Sequence, residues 1–497
     1  MLELFMSYAE AITQLNRMVP ELYAGPGQPR RKFTLEEIRI LLAALGDPHR
    51  RFPAVLIAGT NGKGSTASSL ASILTSSGIR VGLYTSPHLA RVNERIRLNR
   101  IEIPDDVFAA LYFRVHDAAQ QLVLEERLAQ MPSFFEMLTA QALLYFSEEY
   151  VDLAVLEVGM GGRLDATNIV DPLFSVITDI SLDHTEWLGS TIAAIAREKA
   201  GILRPGGILV TLPQHPEANR VIGEVATELG VRGVSATAYM PPMGTANAGP
   251  YSVEALGASI QVNSPLAGAH QHRNLALAIA AAVELATTHN YPMTAESIAE
   301  GLRLTQWPGR LERISRGGVE WILDVAHNPA GAWALRAGVS GAGLSSSSHP
   351  DTPRTLIFSC LRDKPIAEMA QILFPVFDRI ILVPLHAARA ASVDELATAA
   401  DATGSTFVIA NSVSEALAVA SSRQDSSQQS SELIVVSGSV YLVGEARTLL
   451  LENAVQKMEN ARPKTAANPA GRHQPCAVLP LRCPATTVGA RTCSTSP

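Results

Sequence analysis

The sequence predicts an α/β protein with two doubly wound parallel sheets, a larger one near the N-terminus and a smaller one after it. Three observations carry this. Short runs rich in Val, Ile and Leu recur with helix-length stretches between them, and runs that are apolar throughout belong to strands covered on both faces. The first run leads directly into the glycine-rich turn AGTNGKGST, residues 58–66. A second series of runs begins after residues 307–310, and a chain of 497 residues with 47% hydrophobic content is long enough for two cores at roughly 100–200 residues per domain.

The first sheet takes its strands from residues 54–58 (AVLIA), 79–84 (IRVGLY), 151–157 (VDLAVLE), 174–178 (FSVIT) and 208–211 (ILVT). Residues 235–268 lose this rhythm, and their Pro and Gly punctuate a small antiparallel excursion. An alanine-rich helical period over 275–285 then closes the domain. The second sheet is read from 319–325 (VEWILDV), 355–359 (TLIFS), 379–384 (RIILVP), 405–410 (STFVIA) and 433–438 (LIVVSG). Two Ser-rich loops, 340–354 and 421–432, have no composition for a core. From about Asn460 the chain is rich in Pro, Ala and Thr without periodicity, which reads as a disordered tail. The expected division is 1–306, 307–459 and 460–497, with no tandem repeat.

Forty Lys and Arg stand against 47 Asp and Glu, a formal charge of −7. That sign excludes non-specific nucleic-acid wrapping, so an anionic ligand must be held by local groups. Four cysteines, Cys360, Cys476, Cys483 and Cys493, form no CxxC pair and fit a reducing, cytoplasmic setting. The opening MLELFMSYAEAITQL carries Glu3 and Glu10, unlike a signal peptide. No apolar run reaches the ~18 residues of a membrane helix, so a soluble chain with no membrane partner is expected.

A strand, a tight glycine turn and a helix N-terminus present backbone N–H groups and a positive dipole end to an anion. In residues Gly59, Thr60, Asn61, Gly62, Lys63, Gly64, Ser65 and Thr66 the lysine adds a charge that reaches the β- and γ-phosphates, and the hydroxyls serve phosphate or metal. The match to GxxxxGK[ST] is imperfect, because Gly59 lies three residues before Gly62 and Gly64 separates Lys63 from Ser65. The plain alternative is a structural turn.

Together with YTSPHLARVNERIRLN (84–99), LEVGMGGRLDATN (156–168), SLDHTEWLG (181–189), IAREKAGI (195–202), WPGRLE (307–312) and DVAHNP (324–329), this loop resembles folylpolyglutamate synthase and dihydrofolate synthase, of the Mur ligase superfamily. The resemblance runs in order over residues 35–455. It implies an N-terminal P-loop, Mur-ligase-like parallel-sheet domain plus a smaller C-terminal Rossmann-like α/β domain. It further implies ATP-dependent amide ligation, in which a carboxylate becomes an acyl phosphate and the amine of L-glutamate displaces the phosphate.

The same resemblance assigns roles. Ser86, Glu157 and His184 are implied magnesium ligands; histidine is unusual for so hard an ion, and water bridging stays open. Their alternatives are a helix cap for Ser86, a buried partner of Arg163 for Glu157 and a turn histidine for His184. Lys199 reads on its own as a surface helix lysine; the family implies a carbamylated lysine able to hold a second magnesium. Arg310 is implied at the triphosphate, Asn274 and Asp324 at the nucleotide and His327 in catalysis, against a reading in which Asp324 and Asn328 cap the next helix. Ser133 and Phe135, with Arg163 and Asp165, are implied at the dihydropteroate or folate acceptor, although paired phenylalanines such as Phe134 and Phe135 commonly form core. Tyr441 matches an aromatic near the folate, or packs.

The expectation is a monomeric cytoplasmic ligase using ATP and magnesium, joining L-glutamate to dihydropteroate, to reduced folates, or to both. A cell-wall Mur ligase is the rival within the superfamily, disfavoured by TSPHL and NERI. A nucleotide-dependent regulatory protein that performs no ligation is the rival outside it.

Overall fold

The computed structural model describes residues 7–18, 34–242, 249–316, 319–340, 353–422 and 432–461, with backbone alone from 453. Most of both Ser-rich loops and the tail from 462, with three of the cysteines, lie outside these residues.

In the first sheet the strands are β1 (Ala54–Ala58), β2 (Val81–Tyr84), β3 (Ile96–Leu98), β4 (Ile101–Glu102), β5 (Leu153–Glu157), β6 (Phe174–Ile177), β7 (Ile208–Thr211) and β8 (Arg232–Ser235). Their order is β4-β3-β2-β5-β1-β6-β7-β8, parallel from β2 to β8 with an antiparallel edge at β3 and β4. The five apolar runs are β1, β2, β5, β6 and β7. Alternate residues of β1 enter different cores, Ala54, Leu56 and Ala58 on one face and Val55 and Ile57 on the other, which is why the run shows no polar position. Sequence reading missed β3, β4 and β8: β4 and β8 are short, largely exposed strands at the two edges, and β3 has only three residues with an arginine in the middle.

β1 lies between β5 and β6, and the connections from β1 to β2 and from β5 to β6 run in opposite directions across the sheet, so a crevice opens at the carboxyl ends of these strands. The helix Lys63–Ser76 leaves β1 there and is buried nearly all round. Its Ser65, Thr66, Ser68, Ser69 and Ser72 are small enough for the helices Ala269–Thr288 and Ala295–Arg303 to pack over it as a third layer. Gly301 is one close-approach point, where a Cβ would fall 2.3 Å from the Ile73 Cα. The alanine-rich period read at 275–285 is the middle of the Ala269–Thr288 helix. The expected antiparallel excursion is the hairpin β9 (Tyr251–Ala255) and β10 (Ala258–Val262).

The second sheet has β11 (Glu312–Arg316), β12 (Val319–Asp324), β13 (Arg354–Phe358), β14 (Arg379–Leu382), β15 (Phe407–Ile409) and β16 (Leu433–Ser437), in the order β11-β12-β16-β13-β14-β15. All pairs are parallel except β11 with β12. The missed strand is again an edge, β11, whose ERISR sequence buries no residue fully. Cores on both faces, one around Ile322 and Val435 and the other around Trp321 and Ile434, cover this sheet as well. Among the described residues no helix is long and apolar enough to cross a membrane.

Candidate active site

The glycine turn between β1 and its helix is crowded from every side, and that crowding explains its composition. A Cβ on Gly59 would lie 1.8 Å from the Thr178 hydroxyl, one on Gly62 2.1 Å from Asn274 Oδ1, and one on Gly64 2.5 Å from the Trp307 ring. Gly62 also has φ +88°, which costs a side-chain-bearing residue about 1–2 kcal/mol. The turn is tied to the end of β6: Thr60 and Asn61 N–H both donate to Asp179 O, and Thr60 Oγ1 donates to Ser181 O. No side chain caps the Lys63–Ser76 helix, so its first N–H groups face the crevice with the dipole behind them. Lys63 Nζ is folded back on Thr60 O at 3.1 Å.

Around this turn runs a cleft of about 350 Å³ lined by residues of both sheets. The first sheet contributes Gly59 through Ser65, Ser86, Glu157, His184, Lys199 and Asn274, and the second contributes Asp324 and His327, with Arg310 from the connection. Thr66 is fully buried and lies outside this lining.

Glu157 ends β5 and is buried, accepting from Ser86 N–H at 3.1 Å; desolvation raises its carboxyl above the ordinary range, with Lys63 the main opposing charge. It is not paired with Arg163, which binds Glu198 at 2.9 Å, and Ser86 caps no helix. His184 takes a left-handed backbone (φ +49°). Desolvation, helped by the positive charges of Lys364, His327 and Lys63, lowers it to about 4 against Asp183, so a neutral imidazole is available at pH 7. Lys199 is a buried lysine rather than a surface one: only 4% exposed, it donates to Gly59 O at 2.7 Å. Desolvation and the nearby Lys63 lower it to about 7.

Asn274 is buried, donating to Gln271 while its Oδ1 sits against Gly62. Asp324 ends β12 and accepts from Leu311 and Ala326 N–H, both at 2.9 Å. It therefore fixes the turn that carries Arg310, while Asn328 caps the next helix through Gly331 N–H. Burial raises the Asp324 carboxyl, opposed chiefly by Arg310. His327 Nδ1 lies 2.9 Å from Val325 O and its Nε2 faces Asp183.

Four of the five expected acceptor residues line a second pocket of about 130 Å³: Ser133, Phe135, Arg163 and Asp165. Met160, Gly161 and Leu188 line both spaces, so the pocket adjoins the cleft. Ser133 spends its hydroxyl capping the Phe134–Glu148 helix with Glu136. Phe135 is buried against Tyr84 and under Gly159, and Asp165 holds Met160 and Thr167 N–H. Tyr441 is half exposed at the start of the Val440–Ala461 helix and lines neither space.

Sequence reading missed Asp183 and Lys364. Asp183 stood beside His184 inside a segment already singled out, but nothing local marks it, since its partners come from the second sheet. Desolvation pushes this carboxyl up, yet a hydrogen bond from His327 and the charge of Lys364 hold it well below the usual range. Among the described residues no three His, Cys, Asp or Glu side chains converge as a metal cage. Ser86, Glu157 and His184 line the same cleft and offer it one hydroxyl, one carboxylate and one neutral imidazole, of which the two oxygen donors are of the kind a magnesium ion takes.

A model of the Mur ligase middle domain matches residues 57–282, and one of the Mur ligase glutamate ligase domain matches residues 309–440. Folylpolyglutamate synthase of Lacticaseibacillus casei is 36% identical over 457 residues, covering 90% of this chain and 99% of that protein. The chain belongs to the folylpolyglutamate synthase/dihydrofolate synthase family. Within this family, the dihydrofolate synthase/folylpolyglutamate synthase of Bacillus subtilis is 33% identical over 84% of this chain and 94% of its own length. Among solved structures, Mycobacterium tuberculosis folylpolyglutamate synthase complexed with ADP and AMPPCP aligns with TM-score 0.75 at 32% identity, covering 84% of this chain and 96% of that one. A folylpolyglutamate synthase–AMPPCP–folate complex aligns with TM-score 0.73 at 32% identity, over 90% and 100%. The chain is thus an ATP-dependent glutamate ligase of Mur type, and both rival readings fall away.

Proposed function

We propose that this ligase adds L-glutamate to dihydropteroate and also to tetrahydrofolate, through an acyl phosphate, acting in the cytoplasm as a monomer divided at 306/307. The observation that carries the reading is the adjacency of the two spaces: a phosphate cleft roofed by Arg310, Asp324 and His327 opens, past Met160 and Gly161, onto the pocket of Ser133 and Phe135.

Phosphoryl transfer to a carboxylate gathers several negative oxygens, so positioning and positive charge do most of the work. Loop N–H groups and Lys63 hold the β- and γ-phosphates, and Arg310 closes over them from the interdomain connection. Asn274 and Asp324 orient the nucleotide. Ser86, Glu157 and His184 would hold magnesium, which neutralises charge and aligns the acceptor carboxylate with the γ-phosphate. Lys199, buried and deprotonable near neutrality, is suited to carbamylation, giving an anion for a second ion. His327 stands where the amine of glutamate would approach, and Arg163 and Asp165 frame the acceptor. Tyr441 would serve the longer acceptor at a second resting place for the pterin.

Purified protein assayed with dihydropteroate and with tetrahydrofolate in parallel should release ADP with each, strictly dependent on glutamate. Turnover with only one of them reduces the proposal to a single activity. Size-exclusion with light scattering at about 53 kDa checks the monomer.

A further inference from the structure

The proposed mechanism makes no use of Asp183 or Lys364, yet they form the best-buried ion pair in the cleft region, with side chains 8% and 6% exposed. Asp183 follows β6 and belongs to the first sheet, but the long-range side chains that reach it come from the second. Lys364 Nζ donates to its Oδ1 at 2.7 Å, Asn328 Nδ2 donates to its Oδ2 at 3.2 Å, and His327 Nε2 lies 3.5 Å from Oδ2. On its own side Asp183 accepts the backbone N–H of His184 at 2.9 Å. Asn328 also donates to Asn61 Oδ1 in the phosphate loop at 3.0 Å. One carboxylate therefore ties the loop after β12 and the loop after β13 to the loop after β6.

A buried ion pair adds little net stability against an apolar replacement, but removing one partner strands the other charge out of water. Such a pair selects one arrangement over its alternatives, which here is the relative placement of two sheet edges around the phosphates.

We propose that Asp183 and Lys364 form the fastener that holds the second sheet's loops over the phosphate cleft, making Asp183 a positioning residue for His327 and His184. The turnover readout rests on the ligase reading above; the scattering readout does not.

In the full chain, Lys364→Met and Asp183→Asn should each lower kcat about 10- to 100-fold, the range for small misplacement of reacting groups, with KM for ATP near wild type. The double variant should be no slower than either single one, because both remove the same contact. Small-angle scattering with AMPPCP should show a larger radius of gyration for both single variants, and Lys364→Arg should restore the wild-type radius and most of the rate. Should Asp183→Asn fail to fold, Lys364→Met and Lys364→Arg carry the test. Additive losses in the double variant, or Lys364→Met with wild-type kcat and radius, would overturn the proposal. A loss confined to Asp183→Asn would also overturn it, by placing that carboxylate directly on metal or substrate. If wild-type protein turns over none of the acceptors, the ligase assignment is at fault, and the scattering comparison still decides the fastener.

Discussion

Lys63 and Lys199 lie on either side of the same glycine turn and differ in solvation. Lys63 is partly exposed and rests on a backbone carbonyl, so its replacement should leave the fold nearly untouched while removing the charge proposed to meet the phosphates. For Lys63→Ala we expect kcat/KM to fall about 10²- to 10³-fold, the usual loss for one charge-stabilising group, with unfolding free energy within about 0.5 kcal/mol. Turnover within threefold of wild type would dismiss the phosphate-loop role. Lys199 has its folded pKa near 7 against an ordinary 10.5. Between those values the unfolded chain binds a proton that the folded chain does not, so this group makes stability rise with pH across pH 7–10.5 and exerts its full cost below 7. Relative to unmodified wild type in carbon-dioxide-free buffer, Lys199→Met should be stabilised most below pH 7, the advantage shrinking toward pH 10, as read by urea unfolding. A gap independent of pH would contradict the desolvated amine. Activity lost in Lys199→Ala and partly recovered by a short carboxylic acid would support the carbamate.

At the scale of the element, the Phe134–Glu148 helix decides how the acceptor pocket is read. Its first turn sets Ser133 as cap and turns Phe135 inward onto Tyr84, so both residues have structural work whatever they bind. Stability alone cannot separate the roles, since Phe→Ala in a core costs about 3–5 kcal/mol. The ratio of two acceptors can. Phe135→Ala should depress dihydropteroate use far more than tetrahydrofolate use, measured at a temperature where the variant is folded; equal losses would make Phe135 core only. Central strands were legible because two-sided burial writes itself as an unbroken apolar run. Edge strands β4, β8 and β11 were not, since much of their surface faces water and their residues are indistinguishable from loop. The phosphate-loop helix also defied periodicity, because burial on all sides removes the polar stripe that a surface helix shows.

Over the whole molecule, the cleft is lined by loops of both sheets, with Arg310 entering it from the connection between them. A ligand that binds only the folded state stabilises it by about 2.7 kcal/mol at a hundred times its Kd, so AMPPCP with magnesium should raise the melting temperature. Arg310→Ala should cut most of that rise, each protein being compared with its own ligand-free melting temperature because the guanidinium is also the main charge offsetting the buried Asp324 carboxyl. An undiminished rise would remove Arg310 from the nucleotide site.

By itself the sequence determined the two-sheet α/β class, the glycine-rich turn after the first strand and the family, since each is written locally: apolar runs, a glycine string, motifs in fixed order. It also put Glu157 and Asp324 at the ends of apolar runs, and strand ends are where such sheets gather ligands. The tertiary structure decided burial and pairing. It turned Lys199 from a surface lysine into a desolvated one, gave Glu157 to Ser86 instead of Arg163, split Asp324 from the cap made by Asn328, and left Tyr441 outside both spaces. It alone disclosed Asp183 with Lys364, 181 residues apart in the chain. The physical reason is common to all of these: solvation and ion pairing depend on what another segment brings near, and no local pattern of residues encodes the distance between two loops of different sheets.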